Sequence, residues 1–265
     1  MKYIACIGLL FMIGCSKNAT TPTYNTQPVI EAYLQAGSII KIKVTAQSSS
    51  SETTGGIAID TLNVVIIDDK DSYRLQSIGN GYYTDSTLVI REGAKYSMQF
   101  TYDGKVVEAT TVVPSKAANF TQSATSMELT KIDSTSLPDM GTFTMPDPID
   151  LKWDNPDNSY YMIVVQNIET DPELIRDTSD DRFPSRVFRN EPSVINEYKI
   201  NQGQLLYFGR HILLLYHLNP DYAALYAADD NSSQNLKNPT TNISNGFGIF
   251  TGISADTLYL DVIKK

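Results

Sequence analysis

The sequence predicts an all-β protein built as two tandem β-sandwich domains, the second carrying one or two short helices. Three observations lead there. Apolar residues alternate with a period of two in short runs, and turn-forming residues break those runs about every eight to twelve positions. The third is size: 265 residues with 42% hydrophobic content suit a globular chain of one or two domains.

Taken from the start, the first element is not part of the fold. Lys2 precedes an apolar stretch from Tyr3 to Ile13, then Gly14 and Cys15. That order is a secretory signal, and the stretch is far shorter than the roughly 20 residues that span a bilayer. Met12-Ile13-Gly14-Cys15 resembles the lipobox of bacterial lipoproteins. The resemblance implies that residues 1–14 are removed and that the Cys15 thiol takes a diacylglycerol, a small residue before it fitting the peptidase. Cys6 lies in the removed segment, so the mature fold has no disulfide. The formal net charge of −9 grows by one unit with loss of Lys2, and so acidic a chain disfavours nucleic acid as a partner. No mature segment is apolar enough to span a membrane.

Residues 15–27 are rich in Thr, Asn and Pro and read as a flexible, lipid-anchored tether. The first domain, 28–114, then opens with Val29 to Leu34 and with Ile39 to Val44, whose apolar and basic residues alternate. The Ser- and Gly-rich run 47–56 is a loop. Strands follow at Leu62 to Ile67, Tyr73 to Ile78 and Tyr82 to Ile90, and as a pair over Tyr96 to Val113. Asp103-Gly104 supplies the positive backbone dihedrals of a tight hairpin turn in that pair.

The second domain, 115–265, begins with a strand or two between Asn119 and Ile132 and a polar connection to Pro148. Ile149, Leu151 and Trp153 alternate inward, Asn155-Pro156-Asp157-Asn158 turns, and Tyr161, Ile163 and Val165 alternate again. This arrangement resembles the second and third strands of a fibronectin type III sandwich. Asp171-Pro172-Glu173 starts a short helix through about Arg176, and Asn219-Pro220-Asp221 repeats the signal ahead of Tyr222 to Ala228. Between them Ile212 to Tyr216 is a strand-length apolar run, and two closing strands lie at Phe247 to Ile253 and Thr257 to Ile263.

The segments Val29 to Leu34, Thr111-Val112-Val113-Pro114 and, most specifically, Asn242 to Gly252 resemble the Bacteroidota lipoprotein family named domain of unknown function 4249. Members are typically encoded beside TonB-dependent outer-membrane receptors, which the resemblance implies as the partner here. It brings no catalytic residues. Ser16-Lys17-Asn18-Ala19 lacks the acidic residues that often follow the lipidated cysteine of surface lipoproteins, so either leaflet of the outer membrane stays open.

Side chains able to do chemistry are few. His211 and His217 stand six apart in one strand, about 20 Å at some 3.3 Å per residue, too far to share a metal. Both read as polar ends of a buried strand. No metalloprotease, nucleophile-elbow or Ser-x-x-Lys pattern occurs. Of the carboxylate clusters, Asp68-Asp69-Lys70-Asp71 and Asp180-Asp181 read as solvated turns, and Asp229, Asp230 and Asn231 are the candidate metal ligands. Gly246, Gly248 and Gly252 lack dinucleotide spacing and mark a bend or close approach. Tyr82-Tyr83, Tyr160-Tyr161 and Tyr207-Phe208 each put one ring on either side of a strand, and Tyr83, Tyr160 and Tyr207 are the candidate ligand-binding residues. Asp60-Thr61-Leu62, Asp85-Ser86-Thr87, Asp133-Ser134-Thr135 and Asp256-Thr257-Leu258 resemble O-glycosylation acceptors.

These features lead to a non-enzymatic outer-membrane lipoprotein, without a cofactor, that captures a ligand for a TonB-dependent receptor or covers its mouth. The alternatives are an adhesive or structural surface protein and, third, a hydrolase using acids such as Asp180 or Asp229.

Overall fold

A computed structural model describes residues 27–46, 56–132, 146–176, 184–229 and 241–265. The first part of the chain holds β1 (Pro28–Gln35), β2 (Ile39–Ala46), β3 (Ile57–Ala58), β4 (Val65–Ile67), β5 (Ser72–Arg74), β6 (Gln76–Gly79), β7 (Tyr82–Val89), β8 (Lys95–Tyr102) and β9 (Lys105–Val112). Then come β10 (Thr121–Gln122), β11 (Ser126–Leu129), β12 (Ile149–Lys152), β13 (Tyr160–Asn167), β14 (Val187–Arg189), β15 (Glu197–Ile200), β16 (Gly209–Leu218), α1 (Pro220–Asp229) and β17 (Phe247–Lys264).

The period of two in the sequence becomes two-sided strands. In β1, Ile30, Ala32 and Leu34 are buried, whereas Glu31 and Tyr33 face outward. Asp103 and Gly104 turn β8 into β9 with φ of 48° and 73°, positive at both central residues as a two-residue hairpin demands.

The strands assemble into one large sheet and two small ones. The large sheet runs β14-β13-β16-β17-β1-β2-β7-β6, with β3 on β2 and β11 on β17. The small sheets run β5-β4-β8-β9 and β10-β12-β15. One core, containing Ile30, Ile42, Tyr83, Tyr96 and Phe250, lies between the large sheet and the four-stranded one. A second, containing Leu151, Trp153, Ile163, Leu213 and Leu260, lies against the three-stranded sheet.

β17 belongs to both sandwiches, which differs from the pair of closing strands expected in the second domain alone. Phe247 to Ile253 lie parallel to β1, and Ile253 to Val262 lie antiparallel to β16. Ser254, Ala255 and Asp256 read locally as a break. They instead pair with His217, Tyr216 and Leu215, so the ladder carries the strand through. Phe250, Leu260 and Val262 share one face of β17, because side chains alternate with period two. Both cores therefore sit under the same face of the large sheet.

The helix expected from Asp171 does not form. Leu174 bridges to Tyr207 and Arg176 to Ile132, while the Ile175 N–H donates to the Leu206 carbonyl. Tertiary pairing satisfies these backbone groups and buries Ile175, which overrides the local helix signal. The second signal holds, since α1 begins at Pro220.

Candidate functional site

Two of the three candidate tyrosines point inward. Tyr83 is fully buried; its hydroxyl donates to the Ile59 carbonyl at 2.6 Å and accepts from the Leu62 N–H at 3.0 Å. Its neighbour Tyr82 is the outward ring, with the Lys41 Nζ 4.2 Å above it. Tyr207 is 3% exposed and donates its hydroxyl to the Pro184 carbonyl. Phe208 is buried as well, because the pair precedes β16 and is not bound by strand alternation. Tyr160 alone reaches the surface, half-buried on the outer face of β13.

Asp229 is the last residue of α1, while Asp230 and Asn231 lie outside the described residues, as do Cys15, Asp180 and Asp181. Among the described residues no group of three or more His, Cys, Asp or Glu is placed to hold a metal ion. Asp68 is a buried turn clamp and not a solvated residue. Its carboxylate accepts from the Asp71 and Lys70 N–H groups and from Arg91, bonds that hold its pKa below the usual range. Asp85 clamps Thr87 in a similar way, beside the exposed Ser86.

The histidines serve as struts. His211 is buried, with Nδ1 3.0 Å from the Gly209 carbonyl and Nε2 3.4 Å from the Asn167 amide nitrogen. An amide nitrogen only donates and a carbonyl only accepts, so the neutral ring carries its proton on Nδ1. His217 stacks on Tyr161 with ring centroids 4.6 Å apart and lies 2.7 Å through Nδ1 from the Ser115 carbonyl, in the segment joining the sandwiches. Burial pushes both pKa values down.

The segment from Asn242 to Gly252 forms a polar junction. The Asn242 side chain accepts from the Phe250 N–H at 3.0 Å, donates to the Phe250 carbonyl at 2.8 Å and donates to Asp221. Asp221 also accepts from the Thr251 hydroxyl at 2.9 Å. The Asn219 amide donates to the Val112 and Gly252 carbonyls at 2.9 and 3.1 Å, and the Gly252 N–H donates to the Thr111 hydroxyl. Three stretches far apart in sequence, the end of β9, the start of α1 and the middle of β17, thus close on one knot. In the sequence Asn219-Pro220-Asp221 reads as a helix start only, because the partners of both side chains are distant along the chain and leave no local signal. Gly248, at φ 96°, brings β17 so close to β1 that a Cβ would sit 2.0 Å from the Ile30 carbonyl oxygen.

Around α1 the outer face of the large sheet is aromatic and apolar. α1 lies on it, and beneath the helix Met162, Leu218 and Ile253 are buried among Tyr160, Tyr216, Tyr222 and Tyr226. Tyr33 of β1 meets Tyr222 edge-on with centroids 5.7 Å apart and is 45% exposed. Desolvation, then the neighbouring Tyr226, pushes the Tyr222 hydroxyl pKa up, so this ring keeps its proton and offers an apolar body with a polar tip. Elsewhere, a cavity of about 1650 Å³ opens beside β11, lined by Met127, Leu129, Ile149, Leu206, Arg176 and Asp150 among others. Lys199 bonds to Asp150 at 2.6 Å and holds its pKa low, the reverse of what a general acid needs.

These features define an all-β double-sandwich protein in which a helix and a cluster of tyrosines lie on the outer face of a shared sheet. The chain belongs to the family described as Domain of unknown function (DUF4249), whose model matches residues 18–258. The search of curated proteins gave no match. Among solved structures the chain is similar to the crystal structure of chicken CNTN1 FN1-FN3 domains, at 12% identity and a TM-score of 0.25. That likeness covers 74% of this chain and spans 60% of the other.

Proposed function

We propose that this protein is an outer-membrane lipoprotein that performs no chemistry of its own and acts as an accessory or ligand-capture partner of a TonB-dependent receptor. The observation that carries the reading is the outer face of the large sheet, where tyrosines and aliphatic side chains continue past the cover that α1 supplies. An exposed aromatic face suits binding of a partner or ligand.

The lipobox supports the location. Cys15 stands a short polar stretch ahead of Pro28, the first residue of β1, so an acylated cysteine would hold the large sheet near a bilayer. Two or three acyl chains, at about 0.8 kcal/mol per methylene, give essentially permanent attachment. In the expected result, a fatty-acid analogue labels the wild type and not Cys15→Ser, and the variant moves to the soluble fraction. Wild-type protein, solubilised in mild detergent, then brings down a β-barrel receptor. Recovery without any barrel protein, together with normal nutrient uptake after deletion, would favour the adhesive alternative.

A further inference from the structure

The outer face of the second sandwich carries apolar side chains beyond what the chain itself covers, set among the polar Gln166, Arg210, Asp261 and Glu128. An antiparallel sheet with one solvated face alternates apolar inward and polar outward. β16 departs from this: Ile212-Leu213-Leu214-Leu215-Tyr216 is apolar on both faces, in the manner of a strand covered twice. α1 supplies that cover at one end only. Past the helix, Ile212 pairs with Tyr259, which is 44% exposed, and Ile168 and Ile263 on the same face are 45% and 47% exposed.

Charge says what would sit there. Arg210 lies opposite Asp261 in register, yet its guanidinium rests 4.5 Å from the centre of the Tyr259 ring. A stacked guanidinium keeps its in-plane N–H donors directed outward, ready for a carboxylate. Arg189 on β14 flanks the same face, in the row of Val164 and Leu214. Asp261 and Glu128 also lie on this face and the Glu169 carboxylate accepts from the Arg210 backbone N–H, yet among the described residues neither guanidinium comes within ion-pair distance of a carboxylate. Tyrosine and arginine set among aliphatic residues are the side chains that dominate binding energy at protein interfaces.

We infer that this strip, Ile168, Ile212, Tyr259 and Ile263 with Arg210 among them and Arg189 at its rim, is a protein-docking face for a partner segment bearing apolar side chains and carboxylates. The inference rests on the receptor reading in taking that partner to be the barrel. It commits to a protein surface; an acidic segment lays its apolar side on the strip and its carboxylates on the two arginines.

The test uses the full-length, membrane-attached protein with the photoreactive p-benzoylphenylalanine at position 212 or 259, and at 57 or 106 as exposed controls on the first sandwich. Irradiation should give adducts at 212 and 259 and none at 57 or 106, with the partner identified by mass spectrometry. Combining Arg189→Glu with Arg210→Glu should lower the adduct yield about tenfold or more, since one charge-assisted contact is worth that factor. Arg189→Lys with Arg210→Lys should retain most of it, and unchanged melting temperatures certify the fold. An adduct that depends on the arginines but joins a non-barrel protein leaves the docking face standing and removes the receptor reading. No adduct at 212 or 259, equal adducts at the controls, or indifference to charge reversal overturns the docking face.

Discussion

At the scale of single residues, burial has turned the groups that look most reactive into structural ones. The Tyr83 hydroxyl satisfies two backbone groups of the segment before β4, the Ile59 carbonyl and the Leu62 N–H. Tyr83→Phe strands both, and the expected loss is about 1–2 kcal/mol in a urea melt, with ligand or partner binding unchanged. A binding role for Tyr83 would show the opposite pattern. The histidines predict a pH dependence with a definite sign. Burial lowers the folded-state pKa of His211 and His217 below the ordinary 6.5, so the unfolded chain takes up protons first as pH falls. Their contribution is complete above about pH 6.5 and declines below it toward the folded pKa values. Asp68, Asp85, Asp150 and Glu173 have depressed pKa values and remain ionised there, so their contributions are lost only at lower pH. Stability should therefore drop between pH 7.5 and 5.5, and His211→Gln should flatten that drop while leaving the share of His217. An unaltered slope in the variant would remove His211 from the account.

At the scale of elements, local pattern and long-range pairing divide the outcome between them. β1, β2 and β8 were legible because their apolar residues alternate, and the β8–β9 turn because Asp-Gly supplies two positive φ values cheaply. Alternation also says that one of Tyr82 and Tyr83 is buried, but not which, since that depends on the register of β7 against β2. The failed helix at Asp171 and the continuous β17 share one cause: their backbone partners, Leu206, Ile132 and Leu215 among them, are distant in sequence. The same holds for the segment from Asn242 to Gly252, a specific family mark whose chemistry makes sense only beside Thr111, Asn219 and Asp221. Within β17 the tightest constraint is Gly248. Gly248→Ala would place a methyl 2.0 Å from the Ile30 carbonyl oxygen at φ 96°, so the β1–β17 pairing must give way. The expected cost is several kcal/mol, roughly the strain of a disallowed backbone plus an overpacked contact, seen as a lowered denaturation midpoint. Gly37→Ala, also at positive φ but with open space around it, should cost only about 1 kcal/mol.

At the scale of the whole molecule, the shared strand makes the two sandwiches energetically one. Tandem domains joined by a linker unfold separately, because few contacts cross between them. Here the loss of β17 strips β1 of one of its two neighbours and leaves it only β2, and strips β16 of one of its two and leaves it only β13. The knot of Asn219, Asp221, Asn242 and Thr111 fastens the strand where it passes from one core to the other. Trp153, the one tryptophan, sits in the second core and reports on it alone, while amide exchange of Ile30, Ala32 and Ile42 reports on the first. The expected result is a single urea transition, in which the tryptophan midpoint matches the one at which the first-core amides lose protection. Asn219→Ala removes the donor to the Val112 and Gly252 carbonyls, the second of them partly buried, and so unties β9 from β17 at this point. In that variant the two probes should separate, with the first sandwich or the second opening at lower urea. Two well-separated transitions in the wild type would show that β17 is a spliced pair of independent strands, and that the large sheet does not transmit stability between the two cores.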